Sequence, residues 1–340
     1  MNREAASLPP AAALWALSRP RLAPFVMMLP LVGYGWAHWD RALTAQQPAS
    51  LLLVSLAWGL LSAGTLWLNA NLDRDEGEVL LGRAVQPPPG IVAAGYTALL
   101  ASVLLASLAA PLAGLAALSC AALAVAYSHP TLAWKGHPIG GPAVNLLGYG
   151  LLSPLAGWAV VGVAPNPRTL LMWPVCGFGV LAAYFVAQAF QGPEDRARGY
   201  RTLVATHGPG VTLTAARLCV AAGYAICGAL ALAGWLPRLC LIGLLTWPWV
   251  DRWLADWSRD PTGGHSGWAT GFAWRLLRAG LVVLACVTVD HLRAIHSGGP
   301  VAGLATAAGR PTDRPALPPR ELLRWEQQGR RDASAATPTP

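Results

Sequence analysis

The sequence predicts an all-α polytopic membrane protein of about nine transmembrane helices, and three observations carry that prediction. Hydrophobic residues make up 54% of the 340 positions and charged residues 12%, about half the charged share of a soluble domain. Leucine- and alanine-rich runs of membrane-spanning length recur along the chain, and the mean hydropathy is +0.44. The runs are continuous rather than alternating, which selects helices over a closed β-barrel, the other structure that leaves no backbone group unpaired in lipid.

The elements follow in order. Residues 1–22 lack the apolar core and small-residue cleavage site of a signal peptide, and read as a cytoplasmic N-terminal segment ending in Ser18-Arg19-Pro20-Arg21. A first span is expected from about Pro24 to His38 and a second from Leu51 to Leu72. The loop Gly82 to Gly90 contains three consecutive prolines that cannot continue a helix. Spans three and four, Ile91 to Ala109 and Leu112 to Tyr127, meet at a short turn near Pro111. After a second polar loop, Ser128 to Pro138, come span five (Pro142 to Val163) and span six (Leu170 to Phe190). A third polar loop, Gln191 to Leu203, precedes span seven (Val211 to Trp235) and a short span eight (Leu239 to Val250). A loop from Asp251 to Arg278, rich in tryptophan, leads into a ninth span ending near Val289. Trp253, Trp257, Trp268 and Trp274 there fit an interfacial belt. The domain expectation is thus a membrane domain over 23–296 and, where Pro, Ala, Gly and Arg take over, a disordered tail over 297–340.

Charge placement orients the bundle and excludes some partners. Arg19, Arg21, Arg74, Arg83, Lys135, Arg196, Arg198, Arg201, Arg252 and Arg259 fall on one side, which the positive-inside rule assigns to the cytoplasm. The formal charge of +8 therefore bears on orientation and anionic lipid, not on nucleic acid. The six cysteines lie in or beside apolar runs without a CxxC pair and read as small buried residues.

Two of the three polar loops on that side are acidic. Where span two ends, Asn69, Asp73 and Glu76 fall at i, i+4 and i+7 of a continuing helix and share a face, while Glu78 points away. Oxygen donors stacked at a helix mouth suit Mg²⁺, which takes one or two carboxylates and keeps its other positions for water and phosphate. The bland reading of the same stretch is a solvated loop at the membrane edge. In the third loop, Gln191, Glu194, Asp195 and Arg198 share a face by the same arithmetic. Two acidic clusters brought together repel unless a divalent ion lies between them. Lys135 and the loop arginines could then neutralise a diphosphate.

These residues resemble the UbiA superfamily of intramembrane prenyltransferases. Its members carry Asn-x-x-x-Asp-x-x-x-Asp after helix two and Asp-x-x-x-Asp after helix six. Asn69-x-x-x-Asp73-Arg74 matches the opening of the first, and Gln191-Gly-Pro-Glu-Asp195 keeps the last aspartate of the second. Tyr127-Ser128-His-Pro130, Lys135-Gly136-His-Pro138, Asn145-Leu-Leu-Gly148 and Pro154-Leu-Ala-Gly157-Trp158 look like the family's loop and helix after span four. Ser18-Arg19-Pro20 looks like its lead-in to helix one, and the likeness extends to about Gly208. Gly77 and Gln191 depart from the pattern by removing two expected carboxylates.

The resemblance implies a UbiA-like bundle that transfers a prenyl group from a polyprenyl diphosphate to a lipophilic, aromatic or quinone-type acceptor within the membrane, using Mg²⁺. It implies Asn69, Asp73 and Asp195 as metal ligands, with Glu76 and with Glu194 or Gln191 in place of the missing carboxylates. Asp73, Asp195, Lys135 and Tyr127 would carry catalysis, the last through its ring against a developing carbocation. Arg74, Arg83, Lys135, Asn145, Gln188, Arg196 and Arg198 would contact substrate, although Gln188 equally suits a helix–helix hydrogen bond. His129, His137 and His207 lack metal-ligand spacing. Two rival readings use the same scaffold: a class-I-type terpene cyclase with no acceptor, and a non-catalytic or transport protein that has lost part of the site.

Overall fold

The structure is a computed structural model and describes residues 8–38, 48–73, 79–82, 85–164, 167–262 and 264–297. All regular structure among these residues is helical. Twelve α-helices follow one another: α1 (Pro10–Leu17), α2 (Ala23–His38), α3 (Pro48–Asp73), α4 (Ile91–Ala109), α5 (Pro111–Ser128), α6 (Gly140–Asn145), α7 (Ser153–Val160), α8 (Pro167–Ala189), α9 (Gly192–Ala197), α10 (Leu203–Leu232), α11 (Trp247–Trp257) and α12 (Ser266–Ser297).

Among the described residues, six stretches are long and apolar enough to cross a membrane: Pro48–Asn71, Ile91–Ala109, Pro111–Ser128, Gly140–Val160, Leu203–Leu232 and Ser266–Asp290. Two shorter apolar helices, Ala23–Ala37 and Trp173–Ala189, stand where spans one and six are expected. The chain is an integral membrane protein, and its surface agrees: Leu100, Leu104 and Leu108 on α4 and Leu112, Leu115 and Leu118 on α5 are exposed, as lipid-facing leucines are.

Three features differ from the sequence expectation. The N-terminal segment contains α1, pinned by Trp67, whose Nε1 donates to the Leu14 carbonyl at 2.9 Å. The eighth segment is a 3₁₀ helix over Arg238–Thr246 that passes into α11 at Trp247-Pro248. The expected loop from Asp251 to Arg278 is therefore mostly helix, with only a short turn between α11 and α12. Trp253 and Trp268 in that region pack with ring centroids 4.6 Å apart, and Trp253 Nε1 donates to the Trp268 carbonyl at 2.9 Å. Their role there is partly to close the α11–α12 hairpin. Of the expected tail over 297–340, Ser297 ends α12 and the rest lies outside the described residues.

The tightest crossing joins α2 to α7 through a reciprocal pair of Pro-x-x-Gly sequences, Pro30-Leu-Val-Gly33 and Pro154-Leu-Ala-Gly157. A Cβ added at Gly33 would stand 1.7 Å from the Pro154 carbonyl oxygen, and one at Gly157 would stand 1.7 Å from that of Pro30. Backbone rests on backbone here, and only glycine permits it.

Between α6 and α7 the chain runs as a π-helical stretch, Leu146–Leu152. The wider turn is anchored at the Gly148 carbonyl, which accepts from Ser153 Oγ at 2.7 Å; Trp58 Nε1 donates in turn to that hydroxyl at 2.7 Å. Wide turns of this kind concentrate where a helix must re-aim its side chains.

The core divides in two. One buried cluster draws on α2, α3, α4, α5 and α7, with Trp58 at its centre. The others draw on α8, α10, the 3₁₀ segment, α11 and α12, around Leu213, Phe272 and Trp257 on one level and Cys227, Leu236 and Cys240 on another. The space left between these halves is the cavity described next.

Candidate active site

A cavity of about 580 Å³ runs between the two halves of the bundle, lined by α2, α3, α5, α8, α10, α12 and the π-helical stretch. Its walls are largely apolar, including Phe25, Leu29, Leu123, Val180, Val220 and Val283. Among the described residues, the charged lining side chains are gathered elsewhere: Arg19, Lys135, Asp195 and Arg198, with Asn69, Gln191 and Tyr200 beside them.

Asp195 is built in by its own loop. Pro193 sets the first turn of α9, a position where its missing N–H costs nothing. Thr202, at the N-cap of α10, donates from Oγ1 to Asp195 Oδ2 at 2.5 Å. The Tyr200 N–H donates to the Asp195 carbonyl at 2.9 Å, which closes the loop on itself. Asp195 is only 7% exposed. Burial raises its pKa above the usual carboxylate value, against the opposing pull of the Thr202 hydrogen bond and of Arg198, Arg196 and Lys135.

Lys135 sits in a 3₁₀ turn, Trp134–Gly136, with 8% exposure. Its Nζ is 3.5 Å from Asn69 Oδ1 and 5.8 Å from the centroid of the Tyr200 ring. Burial, then the Arg198 charge, pull its pKa down to about 8, with Asp195 acting in the opposite direction. The turn is tied to the third polar loop by the Arg201 N–H, which donates to the Gly136 carbonyl at 2.8 Å. A Cβ at Gly136 would meet the Tyr200 ring at 2.5 Å, so residue 136 must be glycine for the two loops to touch.

Asn69 reaches the same place from the end of α3. Ser128 Oγ, at the end of α5, lies 3.4 Å from Asn69 Oδ1. Asn145 Nδ2 donates to the Gly141 carbonyl at 2.9 Å. Deeper on α8, Gln188 Nε2 donates to the Tyr184 hydroxyl at 2.7 Å.

Of the residues singled out in the sequence, Asn69, Tyr127, Lys135, Asn145, Gln188, Gln191, Asp195 and Arg198 all line this cavity. Glu194 and Arg196 are not among its lining residues. Glu194 pairs with Arg198 at 3.9 Å, and Arg196 is exposed. Asp73 closes α3 one turn beyond Asn69, but its side chain, together with Arg74, Glu76 and Arg83, lies outside the described residues. Arg19, Tyr149, Tyr184 and Tyr200 also line the cavity, and Thr202 supports it, without having been assigned roles from the sequence. One signal was available: Tyr184, Gln188, Gln191 and Asp195 stand at i, i+4, i+7 and i+11.

Among the described residues no three His, Cys, Asp or Glu side chains cluster as a metal site. Among the described side chains, the metal-capable ones at the polar end are oxygen donors, Asn69, Gln191 and Asp195; that of Asp73, one turn beyond Asn69 on α3, lies outside them. A donor set without nitrogen or sulfur, holding few carboxylates, has the chemistry of a Mg²⁺ site that leaves positions for other ligands.

Comparison with known proteins agrees with this architecture. The UbiA prenyltransferase family model matches residues 21–276. Solved structures with the same fold include a UbiA homolog from Archaeoglobus fulgidus bound to DMAPP and Mg²⁺, with a TM-score of 0.58 and 17% identity over 82% of this chain and 99% of that one. Another is digeranylgeranylglyceryl phosphate synthase, with a TM-score of 0.57 and 15% identity over 83% of this chain and 98% of that one. An apo UbiA homolog from Aeropyrum pernix K1 gives 0.55 and 17% over 83% and 99%. None of the curated proteins compared matches the sequence.

Proposed function

Since the chain belongs to the UbiA prenyltransferase family, we propose that it transfers a prenyl group from a polyprenyl diphosphate to a lipophilic aromatic or quinone-type acceptor within the membrane. One observation carries this reading: the charges lining the cavity are gathered at one end of an otherwise apolar chamber of about 580 Å³. That distribution complements an amphiphile with an anionic head and a long hydrocarbon tail.

The residues divide the work accordingly. Lys135 and Arg198 face the diphosphate, and Arg19 lines the same end. Asp195 and Asn69, with Asp73 beyond the described side chains, are the groups that would hold Mg²⁺, and Gln191 can add an amide oxygen. When bound there, the metal would supply Lewis-acid neutralisation of diphosphate charge. Lys135, fixed by its turn, meets the charge that grows on the leaving group without reorganising. The ring of Tyr127 faces the allylic carbon as positive charge develops there. The apolar walls exclude water from that carbon. By the positive-inside rule the polar mouth, with Lys135, Arg196, Arg198 and Arg201, faces the cytoplasm.

The test is product analysis with geranylgeranyl diphosphate and Mg²⁺, with and without phenol or quinone acceptors. A prenylated acceptor supports the reading. A terpene hydrocarbon or alcohol formed equally without acceptor replaces it with a cyclase, and absence of turnover rejects both. Asp195→Asn and Asp73→Asn should each abolish Mg²⁺-dependent turnover while the protein still inserts and purifies.

A further inference from the structure

On the cavity wall, between the polar end and the apolar interior, two side chains are held in place with unused hydrogen-bonding capacity. Tyr184 and Gln188 are 8% and 7% exposed, and both line the cavity. Gln188 Nε2 lies 2.7 Å from the Tyr184 hydroxyl, and among the described residues no other polar group bonds either side chain. Counting valences gives the same result in either orientation of the amide. If Gln188 donates its N–H, the tyrosine proton and the amide carbonyl are left over. If the amide is reversed, the tyrosine donates to its carbonyl, and a phenolic lone pair and the amide N–H are left over. The pair therefore offers the cavity at least one donor and one acceptor side by side.

Its position is enforced by packing. A Cβ at Gly141 would stand 2.1 Å from the Tyr184 oxygen, so α6 is notched at the point where the hydroxyl lies. Phe185 braces the tyrosine ring edge-on, with centroids 5.5 Å apart. Both groups open onto the cavity, so whatever fills it at this point must complete their hydrogen bonds.

A diphosphate does not complete them, since it accepts only and would leave the pair's own acceptor facing a like lone pair. A hydroxyl does, because it donates once and accepts at the same oxygen. We infer that Tyr184 and Gln188 form the subsite that selects an acceptor by its free hydroxyl, whether phenol or alcohol. This rests on the prenyl-transfer reading of the cavity.

The experiment uses matched lipophilic pairs, a para-alkylphenol against its methyl ether and a long-chain alcohol against its methyl ether. They are bound to the full-length protein in detergent, loaded with Mg²⁺ and a non-hydrolysable geranylgeranyl diphosphate analogue. The free hydroxyl should bind ~10- to 100-fold more tightly than the ether in wild type, the range expected where a built hydrogen-bonding site is left unpaired. Tyr184→Phe and Gln188→Leu should each bring that ratio close to one. Gly141→Ala should do the same with both side chains still present, by closing the notch. A wild-type ratio near one, or a ratio that survives in the variants, overturns the inference even though the diphosphate analogue binds. If the analogue itself does not bind wild type, the prenyl-transfer reading falls and takes this inference with it.

Discussion

Replacing Thr202 by valine removes one oxygen from the polar end of the cavity and keeps the shape. Two interactions go with it. Thr202 Oγ1 donates to the buried Asp195 Oδ2 at 2.5 Å, and it also accepts the Ala205 N–H at 3.4 Å as the cap of α10. A hydrogen bond to a charged partner contributes about 1.5–3 kcal/mol. The long cap contact adds about 0.5 kcal/mol, at the low end of cap values. The loss above neutrality should therefore be about 2–3.5 kcal/mol. In acid, Asp195 is protonated and the bond becomes a neutral one of about 0.5–1.5 kcal/mol, so the loss should shrink to about 1–2 kcal/mol. The sign follows from linkage. The Asp195 pKa is already raised by burial, so the folded protein binds its proton more tightly than the unfolded chain does, and stability falls as pH climbs toward and through the folded pKa. Removing the Thr202 donor raises that pKa further and widens the window upward. Chemical unfolding in detergent micelles with EDTA, descending from pH 8 to pH 4, measures the difference, and Thr202→Ser should behave as wild type. An equal loss at both ends of that range would falsify the coupling to the carboxylate and leave only a helix cap.

Two further predictions concern the frame and the cation. Gly33→Ala and Gly157→Ala each drive a methyl into a carbonyl oxygen 1.7 Å away, so the α2–α7 crossing must open. Each should cost about 3 kcal/mol or more, read as loss of folded yield and of thermal stability, whereas Gly148→Ala meets nothing within 4 Å and should be mild at that contact. For Lys135, whose pKa falls from 10.5 to about 8, the charge disappears as pH rises through that lower value. Binding of a prenyl diphosphate analogue in EDTA should weaken about tenfold across the inflection near pH 8, and Lys135→Arg, which stays charged, should flatten the profile. Retention of the inflection in Lys135→Arg would assign it to another group.

How far the sequence could be read depended on the length scale of each signal. Hydropathy averages over a whole span, so α3, α4, α5 and α10 were legible from composition alone, and the ends of α4 fell where expected. Structure that depends on a single atom was not. The π-helical stretch at Leu146–Leu152 is held by the Gly148 carbonyl and a distant Trp58, a pairing 95 residues from its partner Ser153 that no local pattern reveals. In the eighth segment the tight 3₁₀ run and α11 together cover Arg238–Trp257, and charges in α11 made its second half look like a loop. Within the site, Asn69, Lys135 and Asp195 could be named from motif and charge, although they come from three separate elements. Glu194 shares a helical face with Gln191, Asp195 and Arg198 by helical arithmetic, but its carboxylate turns to Arg198 at 3.9 Å and is not among the groups lining the cavity. Tyr184 was missed because a tyrosine in an apolar run is ordinarily read as packing, and its significance lies in the space left by Gly141.

The bond between Arg201 and Gly136 carries a consequence for how this site can drift over evolutionary time. The Tyr200 ring occupies the volume that any side chain at position 136 would need. Neither position can accept an arbitrary substitution first: a larger residue at 136 requires the ring at 200 to shrink beforehand, and shrinking that ring uncovers the lysine one residue away. Positions 136 and 200 should therefore exchange as a couple or stay as they are, and lineages that keep glycine and tyrosine together should also keep Lys135.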